Sequence, residues 1–411
     1  MLLPYMLQME NKLAASLLQT FLKKHIICLY SSKFSKGYGK NGDLVKVSVC
    51  TAKTEINHIT FFFALYQILK SGVLSGLFGS SKQRGSKNME LRKQNYEIIP
   101  IIVDVPSNLR TINFFLVKAK ESLALIDAGL DHEACWNALL ETLQKNGLAL
   151  HDLTEIILTH NHIDHVGLVN RIIADHPIQV YAHKNAIPRL KRDRQFLEMR
   201  VEFFSKLYEE MGCHEAGRKQ VDYLKESIVK NRKLAIQAEI IPVENSHLDF
   251  QIIEVPGHAP DQIALYDPKH RWMISGDLLI QHISSNALVE PDSFGRRMPT
   301  LLQHKHSLEK VSDLPLDLVF PGHGVFIQDP KDLINKRLKG IEKKAEKIMN
   351  LILNGVTTAS GLAQAYYGNK YSEQFSLVMS EIIGHLDYLE FKGKIRKEMK
   401  KGVWHYSINK E

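Results

Sequence analysis

Four side chains that can ligate a metal ion lie within six residues of this 411-residue chain. They are His160, His162, Asp164 and His165, and they directly follow the apolar run at 156–158, which predicts a buried strand. Imidazole and carboxylate groups are ligands that zinc and similar borderline cations favour. A strand that ends and then presents four such groups predicts a metal centre at the edge of a sheet.

The chain from residue 96 onward alternates between strand and helix patterns. A hairpin is predicted from 112–117 and 123–126, then a helix at about 132–146. Further strands are predicted at 98–105, 178–182, 250–255, 263–266, 272–275 and 316–320. With 44% hydrophobic residues the chain can bury a large core. We therefore predict an α/β protein whose sheets are covered by helices.

Three of the later strands end in a glycine followed by a potential ligand. The motifs are Pro-Gly-His ending at His258, Ser-Gly-Asp ending at Asp277 and Pro-Gly-His-Gly around His323. A glycine lets the backbone turn sharply, so that the next side chain can project from the sheet edge. One such motif is weak evidence, but three in order behind a histidine cluster predict a shared centre.

These motifs, together with Asp127 in an Asp-Ala-Gly turn, resemble the metallo-β-lactamase superfamily of hydrolases over about residues 96–330. The resemblance implies an αββα sandwich, in which two packed sheets have helices outside and the site lies at one edge. It implies that Asp127 supports the site without ligating. It further implies one ion on His160, His162 and His258, a second on Asp164, His165 and His323, and a bridging Asp277.

The resemblance also implies the chemistry of such a centre. Two divalent ions, most simply zinc although iron or manganese use the same donors, would activate water for hydrolysis. Asp164 would orient that water and receive its proton. The presence of His165 and Asp277 is typical of thioesterases, lactonases, phosphodiesterases and nucleases, so β-lactam hydrolysis is disfavoured.

Three functions are compatible with these residues. We favour hydrolysis of an ester or thioester of a small acyl substrate, including hydroxyacylglutathione-like compounds. The alternative is an endoribonuclease or phosphodiesterase acting on single-stranded nucleic acid. A non-catalytic nucleic-acid-binding protein is disfavoured, because a complete ligand set would then have no purpose.

A long segment, residues 183–249, interrupts the motifs. Phe196, Met199, Phe203 and Leu207 recur there at helical spacing, and a second helix is predicted at about 217–237. The simpler interpretation is a helical pair that covers the core; we also predict that it borders the mouth of the site. Other histidines have no motif that supports them as ligands, namely His183, His247, His282, His304 and His306.

Residues 332–411 are predicted to form a separate C-terminal unit. Three helices followed by a basic hairpin resemble a winged-helix domain, as in β-lactamase-like hydrolases that include an endoribonuclease. Five basic hairpin residues could contact phosphates, although a packing module or dimer contact with solvated lysines is slightly favoured, namely Lys394, Arg396, Lys397, Lys400 and Lys401. Nucleic acid is therefore a candidate partner through this unit, beside the small acyl substrate.

The first 88 residues differ from the rest and are predicted to be an extension outside the fold, with a metallo-β-lactamase domain over 89–331. They include an apolar stretch, 59–78, but Gln67 and Lys70 near its middle argue against stable membrane insertion. The four cysteines are scattered, which suits reduced thiols. We therefore expect a cytoplasmic protein without a structural disulfide.

Overall fold

The computed structural model divides into two compact units, Met1–Met89 and Glu90–Glu411. The residues that the structure describes are 92–93, 96–119 and 121–409, and all belong to the second unit. The predicted extension 1–88 and its apolar stretch 59–78 lie outside the described residues. Among the residues that the structure describes, no helix has both the length and the apolar character needed to cross a bilayer.

The first sheet has seven strands in sequential order. Strands β1 to β4 pair antiparallel, which confirms the predicted hairpin, and β4 to β7 pair parallel. The strands are β1 Arg92–Lys93, β2 Tyr96–Asp104, β3 Thr111–Ala119, β4 Leu123–Ile126, β5 Glu155–Ile157, β6 Gln179–Ala182 and β7 Ile240–Pro242.

The second sheet has five strands in the order β12-β11-β10-β9-β8. All pairs are antiparallel except β11 with β12, which is parallel. The strands are β8 Ser246–His247, β9 Phe250–Glu254, β10 Ile263–Asp267, β11 Trp272–Gly276 and β12 Leu318–Pro321. The last four lie where the strand patterns predicted them.

The two sheets pack face to face, and the period of two along each strand explains how. In β3, Phe115 and Val117 enter an apolar cluster that also contains residues of the second sheet such as Phe250 and Phe320. The alternate residues of β3, such as Phe114, face a different cluster on the outer side of the first sheet. Such alternation gives each sheet two buried faces, so both need helices outside.

Helices cover both outer faces, which confirms the predicted αββα sandwich. The first sheet is covered by α1 and α3, and the second by the later helices. The helices are α1 Glu133–Lys145, α2 Ile163–Val166, α3 Val169–Asp175, α4 Ile187–Leu190, α5 Arg194–Glu210, α6 His214–Lys230, α7 Thr300–Ser312, α8 Pro330–Leu353, α9 Ala359–Tyr367, α10 Lys370–Glu373 and α11 Phe375–Phe391.

The inserted helices and the C-terminal helices share one apolar core. Phe204 and Leu207 of α5 belong to the same cluster as Ile348 of α8 and Ile382 of α11. The chain ends in an antiparallel hairpin of β13 Ile395–Lys400 and β14 Val403–Ile408. The predicted helices and hairpin are thus present, whereas a winged-helix classification and a boundary at residue 331 stay predictions. Cys135 and Cys213 are buried and free.

Candidate metal centre

The seven predicted ligands come from loops that follow four strands of the two sheets. His160, His162, Asp164 and His165 follow β5 in the first sheet, partly on the short helix α2. The second sheet supplies the other three ligands, because His258 follows β9, Asp277 follows β11 and His323 follows β12. The structure brings all seven together at one edge of the sandwich.

The first group consists of three imidazoles whose nitrogens converge. His162 Nδ1 lies 3.0 Å from His160 Nε2 and 3.0 Å from His258 Nε2. Burial lowers the pKa of all three, that of His258 to about 4, so the rings are neutral at neutral pH. Neutral nitrogens that face one another in this way can hold a cation between them.

The second group consists of Asp164, His165 and His323, with Asp277 between the two groups. One Asp277 oxygen lies 3.4 Å from His165 Nε2, and the other lies 3.3 Å from His323 Nε2 and 3.5 Å from His258 Nε2. Asp164 Oδ2 lies 3.5 Å from His323 Nε2. Asp277 therefore contacts histidines of both groups, as a bridging ligand would.

Several of these atoms are buried without a hydrogen-bond partner. They are His165 Nε2, His323 Nε2 and Asp277 Oδ1. A buried polar atom without a partner costs about 1–3 kcal/mol, so a group of them calls for an explanation. A divalent cation satisfies all three at once, and the residues present therefore fit such an ion.

The opposite nitrogens of the histidine rings are held by acceptors, which fixes the tautomers. His165 Nδ1 donates to Asp127 Oδ2 (2.7 Å), His258 Nδ1 donates to the Asn286 carbonyl (2.9 Å), and His323 Nδ1 donates to the Thr111 carbonyl (2.7 Å). In its neutral form each ring therefore keeps a lone pair on Nε2, directed into the site. Of these acceptors only Asp127 carried a sequence signal.

Asp127 links several residues that follow strands of the first sheet. Its carboxylate also accepts hydrogen bonds from Thr159 N (2.7 Å) and Thr159 Oγ1 (2.8 Å), and Thr159 Oγ1 lies 3.1 Å from His160 Nδ1. The residue is buried and has a left-handed backbone, with φ at 60°. Aspartate tolerates this conformation better than most residues. Asp127 thus contacts the site from outside the ligand set, as the resemblance implied.

The pKa of His165 in the second group is shifted in the opposite direction to those of the histidines in the first group. Burial disfavours the charged form of His165, but the Asp127 and Asp277 carboxylates outweigh it and hold its pKa well above the ordinary value. The pKa of Asp277 is held well below its usual range, since the charges of His165 and His323 outweigh the effect of burial. Asp277 is therefore ionised.

Sequence reasoning missed Asn113, which fixes the loop that carries His323. Its side-chain amide donates to the carbonyls of Pro321 and Gly324 (2.9 Å each), and its backbone N–H donates to Gly322 O at 2.8 Å. A polar residue within an otherwise apolar strand was the signal that could have identified it. Close packing adds a constraint, because a Cβ at Gly322 would lie 2.6 Å from Asp277 Oδ1.

A pocket of about 380 Å³ opens beside the first group of ligands. His162, Asp164 and His258 line it together with three arginines of the insertion, namely Arg189, Arg192 and Arg200. This arrangement confirms that the insertion 183–249 borders the mouth of the site. Sequence reasoning did not single out these arginines.

The histidines without motif support have other contacts. His183 lies 3.2 Å from Glu254, His247 pairs with Glu155 at 2.5 Å, and His282 lies 2.8 Å from the Asn108 carbonyl. Among the described residues, the groups that could hold a metal include none of them, nor His304 or His306.

The basic hairpin residues lie apart from the seven ligands in sequence, and several are paired. Lys397 forms an ion pair with Glu390 at 2.7 Å and Lys400 with Glu398 at 3.0 Å. Arg396 Nε lies 3.3 Å from a serine hydroxyl, and Lys394 also has a partner. Lys401 occupies the hairpin turn with φ at 51°.

A family model described as the metallo-β-lactamase superfamily matches residues 108–323, a range that contains all seven ligands. The chain belongs to this superfamily and is a hydrolase of it, whose members typically bind divalent metals.

Among its relatives is the probable metallo-hydrolase YqjP of Bacillus subtilis, which is 31% identical over 72% of this chain and 92% of that protein. A hydroxyacylglutathione hydrolase of Bdellovibrio bacteriovorus is 24% identical over 54% of this chain and 64% of its own length. A solved metallo-β-lactamase family protein from Thermus thermophilus shares the fold, with a TM-score of 0.63 and 22% identity over 76% of this chain and 98% of that one.

Proposed function

We propose that the chain binds two zinc ions and hydrolyses an ester or thioester of a small acyl substrate. The observation that carries the proposal is the arrangement of the ligands in two groups joined by one carboxylate. Three converging imidazoles form one group, and Asp277 contacts it as well as His165 and His323 of the other. Imidazole and carboxylate donors without a thiolate suit zinc, while iron and manganese use the same donors.

Cations in this centre would supply an acidified water and a polarised carbonyl oxygen. Two side chains of the protein, Asp164 and Asp127, have further roles. The side chain of Asp164 is 21% exposed and lines the pocket, so it can reach a water there, orient it and accept its proton. Asp127, one contact further out, holds His165 in the tautomer that leaves Nε2 free.

Two observations favour an acyl substrate. The pocket beside the centre, about 380 Å³, has the size of a small-molecule site rather than of a channel for a polymer. One relative is named a hydroxyacylglutathione hydrolase, and its name supports thioester hydrolysis for this chain as well.

Cleavage of single-stranded RNA is the alternative that the same experiment must test. The basic hairpin supports it, but ion pairs already occupy Lys397 and Lys400. Charges that are paired on the surface contribute less to phosphate binding than free ones. We therefore place RNA second.

The experiment uses the full chain, purified and analysed for metal by mass spectrometry. Wild type, Asp164→Asn and the exposed control Asp131→Asn are tested in parallel on a panel of acyl esters and thioesters and on single-stranded RNA. We expect about two zinc ions per chain and acyl turnover that falls by about 10²-fold or more in Asp164→Asn alone. RNA cleavage without acyl turnover would overturn the proposal.

A further inference from the structure

The arginines of the pocket are not equivalent. Arg189 and Arg200 both bond to Glu290, through contacts of 3.1 Å and 2.8 Å. The Glu290 side chain is only 13% exposed, and the two guanidinium groups hold the pKa of its carboxyl below the usual value against the effect of burial. Glu290 therefore neutralises one of two positive charges, and the pair of arginines keeps a net charge of one.

Arg192 lines the same pocket and has no such partner. Within the described part of the chain its side chain has no ion pair, and Nε is buried without a hydrogen bond. Burial, with the charge of Arg200 second, lowers the pKa of Arg192. The acidic residues that line the pocket are Glu290, already shared by two arginines, and Asp164 of the metal centre.

The backbone at Arg192 is also strained, with φ at 52°. Two contacts hold this turn: Arg192 N donates to Arg189 O (3.1 Å), and Asp193 N donates to Pro188 O (2.9 Å). Asp193 in turn caps α5 by accepting from Phe196 N at 2.7 Å. A left-handed non-glycine residue costs about 1–3 kcal/mol and persists where the surroundings enforce it, often at functional sites.

We propose that Arg192 binds a carboxylate or phosphate carried by the substrate away from the bond that is hydrolysed. The guanidinium of Arg192 then gains the acceptor that the protein does not supply. The anion also neutralises the positive charge of Arg192, which Glu290 leaves uncompensated. The substrate class becomes an anionic acyl ester or thioester. This inference rests on the proposed function, since the anion lies in the pocket beside the metal centre.

The test compares substrates that differ only in the remote group. They are the para-nitrophenyl ester of valeric acid, the mono-para-nitrophenyl ester of glutaric acid, and an analogue of the latter that ends in a phosphonate. The measured quantity is the ratio of kcat/KM for each anionic ester to that for the neutral one. The variants are Arg192→Gln, Arg192→Lys and the control Arg194→Gln, whose side chain is 84% exposed and pairs with Glu198.

Wild type should prefer one anionic ester, and the preferred end group identifies carboxylate or phosphate. Arg192→Gln should reduce the preference by about 10- to 100-fold, as expected for a lost charge-assisted hydrogen bond. Arg192→Lys should recover part of it, and Arg194→Gln should leave the ratio unchanged. Equal kcat/KM for charged and neutral esters in wild type would overturn the inference.

Binding to the metal-free protein separates this inference from the proposed function. Glutarate and inorganic phosphate are titrated by calorimetry against metal-free wild type, Arg192→Gln and Arg194→Gln. Weakened binding in Arg192→Gln alone supports the anion site even if no ester is hydrolysed, an outcome that would refute only the proposed function. Equal binding by all three proteins overturns the inference even if esters are hydrolysed.

Thermal unfolding checks that the variant is intact. Because Arg192→Gln removes a half-buried charge that has no ion-pair partner, we expect its unfolding temperature, without ligand, to equal or exceed that of wild type. A marked fall would show that Arg192 is a structural residue and would count against the proposal.

Discussion

Replacement of Asp127 by asparagine tests how the site is held. The carboxylate accepts three hydrogen bonds, from Thr159 N at 2.7 Å, Thr159 Oγ1 at 2.8 Å and His165 Nδ1 at 2.7 Å. The substitution keeps the shape of the side chain but turns one acceptor oxygen into a donor. An amide cannot satisfy all three donors in either orientation.

Each orientation of the amide has its own cost. If the amide oxygen faces His165, the NH2 group opposes the Thr159 N–H, and a buried donor is lost at about 1–3 kcal/mol. If the NH2 group faces His165 instead, Nδ1 must become an acceptor and the proton moves to Nε2. That nitrogen lies 3.4 Å from Asp277 and is the predicted ligand atom, so the protonated form cannot bind a cation.

We therefore expect Asp127→Asn to lower the free energy of unfolding by about 1–3 kcal/mol, or to weaken metal binding by about 10- to 100-fold. Urea unfolding of the metal-free protein measures the first quantity, and competition with a chromophoric chelator measures the second. Asp104→Asn, an exposed substitution of the same kind, is the control. If both quantities stay at wild-type values, Asp127 does not hold the site and the reasoning is refuted.

Three further substitutions probe other parts of the structure. Gly322→Ala should destabilise the fold by about 1–3 kcal/mol and weaken metal binding, because its Cβ would lie 2.6 Å from an Asp277 oxygen; urea unfolding and chelator competition measure both. Glu290→Gln should cost about 3 kcal/mol in urea unfolding, because it leaves two largely buried guanidinium groups without a carboxylate. Burial raises the pKa of Asp387 to about 6 despite its ion pair with Arg297, so the folded state binds this proton more tightly than the unfolded state. The resulting stability is complete below pH 3.8 and is lost as the pH rises through about 6. The free energy of unfolding of metal-free Asp387→Asn should therefore rise, relative to that of wild type, by up to about 3 kcal/mol from pH 4 to pH 7. A difference that is the same at both pH values would contradict this.

The predicted ligands were visible in the sequence because each motif is local. A strand, a turn and a ligand occupy neighbouring positions, as at His258, Asp277 and His323, and the order of motifs follows the topology of the fold. Most strands of both sheets were likewise visible as short apolar runs, since each sheet is buried on both faces and its strands therefore carry apolar residues at consecutive positions.

Other parts of the site left no such signal. Backbone carbonyls such as those of Thr111 and Asn286 fix two histidine tautomers, but a carbonyl belongs to every residue type. Arg192 is one of 53 lysines and arginines, and only its buried Nε without a hydrogen-bond partner distinguishes it. Such properties depend on contacts between distant segments, which a single sequence does not report.

The boundaries of the inserted helices were predicted less well than their existence. The second one was expected at about 217–237, whereas α6 spans His214–Lys230 and a separate short 3₁₀ turn follows at Arg232–Leu234. His214 begins the helix with φ at 45°, and the side chain of Cys213 at the N-cap makes no hydrogen bond that caps the helix. Without a capping side chain the start has no sequence signature.

The seven ligands are divided between the two sheets, four following β5 and three on the second sheet. No fragment that contains one sheet alone can therefore present the whole centre. During synthesis the set of seven predicted ligands is incomplete until the chain has emerged through His323, so an ion that needs all of them could bind only after that point. A cation held by ligands from both layers would link the two sheets, so we expect metal binding to oppose their separation as well as to supply the chemistry.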